Sequence, residues 1–427
     1  MSNLKTYQLF LLLFLLFLII IIYIPMLNAG YAFTDDMLML KSSSGRLQKI
    51  SLDYILNTFK SCHEGLYHPL VTLSYSTELT FFYFIPDNFI PVIFHFDNIL
   101  LHLANILLVF LILFKLSKSF WLSFIVASLF AIHPTRVEVV AWISARKDLL
   151  YSFFYLLSIW FYIKTYSSNK KKVYLTLSVI MFLFSCFSKA MAITLPFVLI
   201  LIDSYTNNFN KQKLKIYLLY IFATLSFSSI NIYAHYFTNY NDIDIKFTTF
   251  DHFVNFINAH FNILFYLDKL VLPIKLYLTY PYFYDQYSML PPTYILYSPA
   301  ILYILVYLSF LSLRKTKVIF YGFLFFLITI LPSSSILPIG NFSVADRYTY
   351  ITYLGLFFIF AKTIIYICNK SIKYMNILTI TLCMLIFISF NYLSYIRVID
   401  WQQNRYCAPI KMKYYKFGIN IFNKRII

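Results

Sequence analysis

The chain has 427 residues, of which 60% are hydrophobic and only 12% are charged, and its mean hydropathy is +0.72. This composition excludes a soluble globular protein. The net charge of +18 would suggest a nucleic-acid partner in a soluble chain. The basic residues, however, lie in short segments between apolar runs, as in cytoplasmic loops of membrane proteins. The sequence therefore predicts one integral membrane domain in a lipid bilayer, with no nucleic acid as partner.

The first apolar run, Leu9 to Tyr23, follows Lys5 and could be taken for a secretory signal peptide. It is longer than a typical signal core, and only a weak small-residue cleavage site follows it. We therefore expect an uncleaved membrane anchor.

Apolar runs along the rest of the chain predict an all-α, polytopic helical bundle with about 11 transmembrane helices. Two of the runs, 119-133 and 190-203, are shorter than a perpendicular crossing requires, so we expect them to be tilted, partly sunk or broken. The expected crossings are residues 7-27, 93-114, 119-133, 149-165, 173-188, 190-203, 216-236, 295-313, 318-332, 348-367 and 375-395.

The basic clusters orient this bundle with its N-terminus in the cytoplasm. All of them fall on the cytoplasmic side only if residues 251-273 do not cross, which indicates an interfacial or re-entrant helix there. The predicted organisation is a transmembrane domain over 1-395 with outer segments 28-92 and 237-295, and a short extracytoplasmic tail over 396-427. Nearly all acidic residues then lie on the outer face, where we expect any chemistry.

An acidic pair, Asp35 and Asp36, lies a few residues beyond the first run. Carboxylates at the mouth of a hydrophobic bundle are costly to desolvate, and they can take a proton from a hydroxyl or hold a cation. A divalent cation is therefore a candidate cofactor at Asp35 and Asp36, although the sequence shows no set of about six oxygen ligands around them. We predict that this pair lies in the active site of a membrane enzyme.

The segment from Ile132 to Asp148 is the densest cluster of polar residues between two runs. Its cations, Arg136, Arg146 and Lys147, lie on the face where positive charge is disfavoured, which indicates an anionic partner such as a phosphate. The alternative is internal pairing of Arg136 with Glu138, or of Arg146 with Asp148.

Other outer-face residues extend this pattern. Lys189 and Arg347 are further cations on the disfavoured face. His95 and His102 are seven residues apart and share a helix face, either as a stripe that bonds to neighbouring helices or as contacts to a bound headgroup. The tyrosines near Arg347, including Tyr348, could stack on a sugar or belong to the interfacial aromatic belt.

Together these motifs resemble a known family. The order is the acidic pair, a Pro-Leu segment in the first loop, His-Asn-Leu-His entering the second run, His-Pro-x-x-x-Glu-x-Val-x-Trp-x-x-x-Arg, Ser-Lys, a run ending in Asp203, and Asp-Arg-Tyr-x-Tyr. It resembles the transmembrane part of the transmembrane and tetratricopeptide-repeat O-mannosyltransferases and their bacterial relatives, which are GT-C glycosyltransferases. The sequence contains no 34-residue period of such repeats.

The resemblance implies inverting transfer of a sugar, mannose in these relatives, from a polyprenyl-phosphate donor to a hydroxyl of a protein Ser or Thr or of a glycolipid. Asp35 or Asp36 would be the general base, and Arg146, Lys189 and Arg347 would hold the departing phosphate. The implied pocket residues are His68, His95, His102, His133, Glu138, Asp148, Asp346 and Tyr348.

Three positions depart from the family pattern: His68 replaces an arginine, Ala190 an acidic residue, and Asp346 a glutamate. The implied location is the inner membrane of a bacterium or the endoplasmic reticulum of a eukaryote, with an extracytoplasmic C-terminus. Two alternatives stay open from the residues alone, a transporter or channel for an anionic lipid or solute, and a catalytically inactive relative.

Overall fold

The computed structural model describes residues 5–32, 36, 49–60, 67–237, 249–278, 280, 292–334, 344–370 and 373–405. Within these ranges the regular structure is helical, and the only β contact is an isolated antiparallel bridge between Tyr280 and Val344. The prediction of an all-α protein is confirmed. Asp35 and the tail beyond residue 405 lie outside the described residues.

The helices follow the apolar runs of the sequence closely. In chain order they are α1 (Thr6–Tyr23), α2 (Leu52–Lys60), α3 (Pro69–Phe81), α4 (Ile90–Ser117), α5 (Phe120–Ile132), α6 (Arg136–Ala141), α7 (Arg146–Lys164), α8 (Lys171–Ser188), α9 (Leu195–Tyr205), α10 (Leu214–Phe237), α11 (Thr249–Val271), α12 (Pro292–Ser312), α13 (Lys317–Ile330), α14 (Thr349–Thr352), α15 (Leu354–Asn369) and α16 (Lys373–Gln402).

Several of these helices are long and apolar enough to cross a membrane, which makes this an integral membrane protein. In the described part of the chain they are Thr6–Asn28, Asp87–Ser117, Lys171–Ser188, Lys211–Tyr233 and Tyr374–Gln402, with Asp346–Thr352 and Leu354–Asn369 as a sixth span bent by 56°. Shorter apolar helices are Phe120–Ile132, Ala190–Tyr205, Tyr297–Ser312 and Lys317–Ser333. Every expected crossing coincides with a helix, but the count of about 11 crossings stays a prediction.

The helix α11 is not among these candidate spans of the described residues, and the expectation that residues 251-273 do not cross stays a prediction. The helix α11 packs beside α12, where the His260 Nε2 lies 3.3 Å from the Tyr303 hydroxyl.

The centre of the bundle is built from α4, α5, α7 and α8. Small polar side chains join α7 to α8, because the Ser158 hydroxyl donates to the Ser178 carbonyl at 2.7 Å and the Ser185 hydroxyl to the Tyr151 carbonyl at 2.8 Å. Hydrogen bonds between small residues hold helices together in lipid, where the hydrophobic effect no longer does so.

Glycines bring α13 and α15 into backbone contact. A Cβ at Gly355 would overlap the Gly322 carbonyl oxygen, and a Cβ at Gly322 would lie 2.6 Å from the Gly355 carbonyl oxygen. Only glycine at both positions permits this crossing, as in other close helix pairs of membrane proteins.

The last helix, α16, has an outward face and a packed end. Side chains such as Ile377, Leu385 and Ile388 are more than half exposed, as expected of a face in contact with lipid. Near its C-terminal end, Val398 and Trp401 are buried instead. The helix extends past residue 395, where we expect the tail to begin, to Gln402.

Candidate functional site

The polar segment before α7 is a buried part of the bundle, and all of its residues from His133 to Arg146 are buried. Pro134 follows α5, α6 then runs for six residues, and Trp142 has extended dihedral angles before the tight turn Ile143–Ala145. We refer to Trp142–Asp148 as the polar turn. Because it lies in the core, each of its polar groups needs a partner, and these partners define the site.

Asp36 is bound directly to the polar turn. Its Oδ1 accepts hydrogen bonds from the Ser144 backbone N–H at 2.9 Å and from the Ser144 hydroxyl, and its Oδ2 accepts from the Ala32 N–H at 2.8 Å. The side chain is fully buried. Several donors around one carboxylate stabilise its charged form, so the fold holds Asp36 as an oriented acceptor beside Ser144.

Arg146 braces the polar turn from the other side. Its Nη1 donates to Glu78, its Nε to the Asn98 side chain at 3.0 Å and its Nη2 to the Phe94 carbonyl at 2.9 Å. The guanidinium also lies 4.3 Å from the Tyr75 ring centre and is 1% exposed. All three of its nitrogens therefore have protein partners.

The same neighbours also hold the backbone of the polar turn. The Tyr75 hydroxyl donates to the Ile143 carbonyl at 2.6 Å, and the Asn98 amide donates to the Val140 and Trp142 carbonyls at 3.3 Å. The turn is thus held by α3 and α4 as well as by its own hydrogen bond from the Ala145 N–H to the Trp142 carbonyl at 3.1 Å.

Lys189 and Arg347 reach the opposite side of the polar turn. The Lys189 ammonium contacts Asp148 at 2.5 Å, and the Arg347 Nη1 contacts Glu138 at 2.7 Å while its guanidinium lies 5.2 Å from the Trp142 ring centre. The Tyr348 ring centre is 5.1 Å from both cations. Burial lowers the pKa of Lys189, the Asp148 carboxylate beside it raises this pKa in part, and the nearby positive charge of Arg347 lowers it again. These two cations therefore share one local environment.

Arg397, on α16, completes this side of the site. Its Nη2 contacts Asp346 at 2.7 Å and its Nη1 donates to the Pro134 carbonyl at 2.8 Å. Asp346 also accepts from the Tyr280 hydroxyl at 3.1 Å. Because Asp346 precedes Arg347, this pair fixes the backbone from which Arg347 projects.

Sequence reasoning missed Glu78 and Arg397. Glu78 lies in the long first outer segment, and nothing in its spacing indicates a partner. Arg397 did offer a signal, since a cation at the outer end of the last apolar run departs from the positive-inside rule.

The internal pairs considered from the sequence, Arg136 with Glu138 and Arg146 with Asp148, are wrong. Residues two apart on a helix point to different sides and do not face each other. Both pairs lie within helices, and the structure pairs Arg146 with Glu78 and Asp148 with Lys189. Internal pairing does occur, but between distant segments.

Arg136 itself is fully buried, and none of its side-chain nitrogens has a hydrogen-bond partner among the described residues. Its guanidinium lies 5.2 to 5.8 Å from four ring centres, those of Phe130, Tyr350, Tyr353 and Phe357. Cation–π attraction to such a box partly replaces the lost hydration.

Burial changes the pKa values of two carboxyl groups at the site. Burial raises the pKa of Glu138 to about 7, although the Arg347 charge lowers it. Burial likewise raises the pKa of Glu78 to about 8, against the effect of Arg146.

The predicted histidines have protein partners. His102 lies 2.7 Å from the Tyr350 hydroxyl through Nδ1, and His95 lies 3.3 Å from the Gly30 carbonyl through Nε2. His133 is placed between Thr135 and the Leu270 carbonyl, at 2.9 and 3.2 Å. His68 is buried just before α3. For His95 and His102 the geometry favours the stripe that bonds to neighbouring segments.

The geometry thus brings Asp36, Glu138, Arg146, Asp148, Lys189, Asp346, Arg347 and Tyr348 around the polar turn. Asp36, Lys189 and Arg347 come from three different parts of the chain and all contact this one short segment. Two cations gathered in this way suit the binding of an anion. The described residues contain no group of three His, Cys, Asp or Glu side chains that could hold a metal ion. Both Asp36 oxygens accept hydrogen bonds from N–H or O–H donors, and a divalent cation at the acidic pair stays a prediction.

Comparison with known proteins gives a consistent picture. No protein-family model matches the chain. The chain is 35% identical over 119 residues to human protein O-mannosyl-transferase TMTC4, and 27% identical over 179 residues to Drosophila melanogaster protein O-mannosyl-transferase Tmtc1. These matches cover 25% and 40% of this chain but only 16% and 20% of the relatives. The resemblance carried by the motifs is confirmed.

Among solved structures, the fold is similar to that of the Archaeoglobus fulgidus oligosaccharyltransferase AglB in complex with an inhibitory peptide and a dolichol-phosphate. The TM-score is 0.51 at 13% identity, over 95% of this chain and 57% of that chain. The apo form of the A. fulgidus enzyme matches with the same TM-score. At this identity the likeness concerns the fold alone, and that fold is GT-C-like.

Proposed function

We propose that this chain is a membrane glycosyltransferase that moves a sugar from a polyprenyl-phosphate donor to a hydroxyl acceptor at the extracytoplasmic face. The observation that carries the proposal is the convergence of Asp36, Lys189 and Arg347 on the polar turn. Such a transfer needs a base, for which the acidic pair that contains Asp36 is the candidate, and stabilisation of a departing phosphate. Similarity to proteins named O-mannosyl-transferases, and a fold shared with an enzyme bound to dolichol-phosphate, support it.

Within the acidic pair we assign the two carboxylates different roles. Both oxygens of Asp36 are engaged by backbone and hydroxyl donors, so Asp36 is better suited to hold the first loop against Ser144 than to accept a proton. Asp35 is then the candidate general base. The acceptor oxygen attacks the anomeric carbon, its proton passes to Asp35, and the bond from the anomeric carbon to the phosphate oxygen breaks, with inversion.

Lys189 and Arg347 are the candidates to hold the phosphate as it gains charge. Each already faces a carboxylate, and the Lys189 side chain is 15% exposed, whereas the Arg347 side chain is buried. Arg146 is assigned a positioning role, because its nitrogens are occupied by Glu78, Asn98 and Phe94. Glu138 and Asp148 orient the two cations, and Tyr348 lies where a sugar ring could stack.

Mannose as the sugar, and a protein Ser or Thr or a glycolipid as the acceptor, follow only from the relatives. The proposed orientation has the N-terminus in the cytoplasm and the C-terminus outside. A divalent cation at Asp35 and Asp36 enters no step of this mechanism.

The proposal is tested by reconstituting the chain in nanodiscs with a radiolabelled polyprenyl-phosphate mannose and a Ser/Thr-rich peptide or a glycolipid. We expect Asp35→Asn to abolish transfer, Asp36→Asn to reduce it severely, and Asp53→Asn, on the exposed side of α2, to leave it unchanged. Transfer that survives both changes in the acidic pair would remove the site assignment. Donor-independent passage of an anionic lipid through the protein would favour the transporter instead.

A further inference from the structure

Glu138 is a buried carboxylate whose two oxygens are used unequally. Its Oε1 accepts a hydrogen bond from the Arg347 Nη1 at 2.7 Å, and its side chain is fully buried. Its Oε2 has no hydrogen-bond partner among the described residues. The Arg397 Nη2 lies 3.9 Å from this second oxygen, which is about 1 Å too long for a hydrogen bond. Glu138 therefore lies between two arginines and is hydrogen-bonded to one of them.

Arg397 has the capacity to serve as a second partner for Glu138. Its Nη1 donates to the Pro134 carbonyl at 2.8 Å, and its Nη2 donates to Asp346 at 2.7 Å. Each Nη of a guanidinium carries two hydrogens, so the bond to Asp346 leaves a second hydrogen on Nη2. The Arg397 side chain is only 11% exposed, so little water competes for that hydrogen. The last helix thus places a further cation next to a carboxylate that is already paired.

The ion pairs at the site match each carboxylate with a cation. They are Glu138 with Arg347, Asp148 with Lys189, and Asp346 with Arg397. A phosphate adds negative charge to this buried set. It binds a guanidinium most firmly through two N–H groups, and the Arg347 Nη1 is already engaged by Glu138. Phosphate and Glu138 therefore compete for one donor, and a buried carboxylate that loses its partner is costly unless another cation receives it.

We propose that Arg397 is a positioning residue of the phosphate site, and that it receives the Glu138 carboxylate when a phosphate displaces this carboxylate from Arg347. This role rests on the proposed function, because it takes Arg347 as a phosphate ligand. A shift of about 1 Å brings the Glu138 Oε2 within hydrogen-bond distance of the Arg397 Nη2. The Arg347 Nη1 is then free for the phosphate, and Glu138 keeps a cationic partner. Glu138 is thus a counterion that the ligand displaces.

The first test measures binding and does not use activity. The full-length chain in phosphatidylcholine nanodiscs is titrated calorimetrically with farnesyl phosphate, with inorganic phosphate and with farnesol, which has the lipid chain but no phosphate. The pH is about 8, where Glu138, with a pKa of about 7, is mostly charged.

We expect Glu138→Gln to tighten the binding of farnesyl phosphate about 10-fold, because a neutral amide competes less for Arg347 than a carboxylate does. Inorganic phosphate should change in the same direction, and farnesol should not change. If Glu138→Gln weakens the binding of farnesyl phosphate, Glu138 only orients Arg347 and the exchange is wrong. An equal change with farnesol would also contradict it.

The second test is a double-mutant cycle for the role of Arg397. Arg397→Met should weaken the binding of farnesyl phosphate about 10-fold in the parent chain and hardly at all beside Glu138→Gln, since no displaced carboxylate then needs a partner. Arg397→Lys, which keeps the charge, should retain most of the affinity. The control cycle pairs Arg397→Met with Asp148→Asn, whose carboxylate contacts Lys189, and there the two effects should add.

The outcomes separate a failure of the exchange from a failure of the phosphate site. If farnesyl phosphate binds and Arg397→Met costs the same affinity with and without Glu138→Gln, Arg397 acts only by holding Asp346, and the exchange alone is refuted. If farnesyl phosphate does not bind, the phosphate site of the proposed function is refuted together with the exchange. Thermal unfolding in detergent checks that each variant is folded, and Glu138→Gln by itself decides the exchange if Arg397→Met does not fold.

Discussion

Two buried aspartates, Asp148 and Asp203, lie near opposite ends of α7, and their hydrogen-bond surroundings differ. Asp203 accepts hydrogen bonds from the hydroxyls of Tyr162, Tyr166 and Tyr217 at 2.5 to 2.6 Å and from the Lys213 ammonium at 2.7 Å. We call these five residues the Asp203 cluster. Tyr162 lies roughly 20 Å along α7 from Asp148 of the polar turn, at 1.5 Å per residue.

The Asp203 cluster is closed, whereas the surroundings of the polar turn keep unused bonding capacity. Both Asp203 oxygens are satisfied. In contrast, the Asp148 Oδ2, the Glu138 Oε2 and the Trp142 Nε1 have no hydrogen-bond partner in the described part of the chain. Most buried polar atoms have a hydrogen-bond partner, so these exceptions need an explanation. The difference fits a structural tie at one end of α7 and the proposed binding site at the other.

The largest expected effect tests the structural end. Asp203→Ala leaves three tyrosine hydroxyls, two of them on buried side chains, and a lysine without their acceptor. It should lower the free energy of unfolding by about 3–5 kcal/mol. Thermal unfolding in detergent measures the loss, with Asp53→Ala as the exposed control. If the melting temperature is unchanged, the Asp203 cluster does not stabilise the fold.

The next effect tests the other end. We expect Arg347→Met to lower transfer by about 100 to 1,000-fold, because a donor aimed at developing charge is lost, with Arg347→Lys retaining part of the rate. Specific activity per folded molecule separates this from Asp203→Ala, which should keep its activity. Equal losses in the two variants would erase the distinction.

A pH series sharpens the comparison. Because burial raises the pKa of Glu138 to about 7 in the folded protein from an ordinary value of 4.5, the neutral carboxyl is favoured there. The contribution of the neutral Glu138 carboxyl to the free energy of unfolding is fully present below pH 4.5. It is lost as the pH rises through 7, by roughly 1.4 kcal/mol per unit of pKa shift. Over this pH range the melting temperature of the parent protein should fall relative to that of the Glu138→Gln variant. If the melting temperatures of the two proteins change with pH in parallel, this prediction is wrong.

The smallest effect provides a baseline outside both regions. Gly355→Ala adds a methyl group against the Gly322 carbonyl and should cost about 1–3 kcal/mol of stability. Activity per folded molecule should not change. A loss of activity without a loss of stability would mean that the crossing of α13 and α15 reaches the polar turn.

Much of the fold could be predicted from apolar runs, because a helix in lipid must satisfy its own backbone and shows this as a long apolar stretch. The residues around the polar turn were also mostly identified, since cations on the disfavoured face and the acidic pair stand out. The bonding partners were not, and Asp35 lies outside the described residues, so its role stays a prediction.

The amino-acid sequence alone determined that this is a helical membrane protein with charged residues gathered near the polar turn. Charge is costly in lipid, so charged residues are excluded from most of the apolar runs and stand out between them. Only the tertiary structure decided which charges meet. Arg146 pairs with Glu78, 68 residues away, and Arg347 with Glu138, 209 residues away. Such pairs depend on how helices pack, which no local spacing encodes.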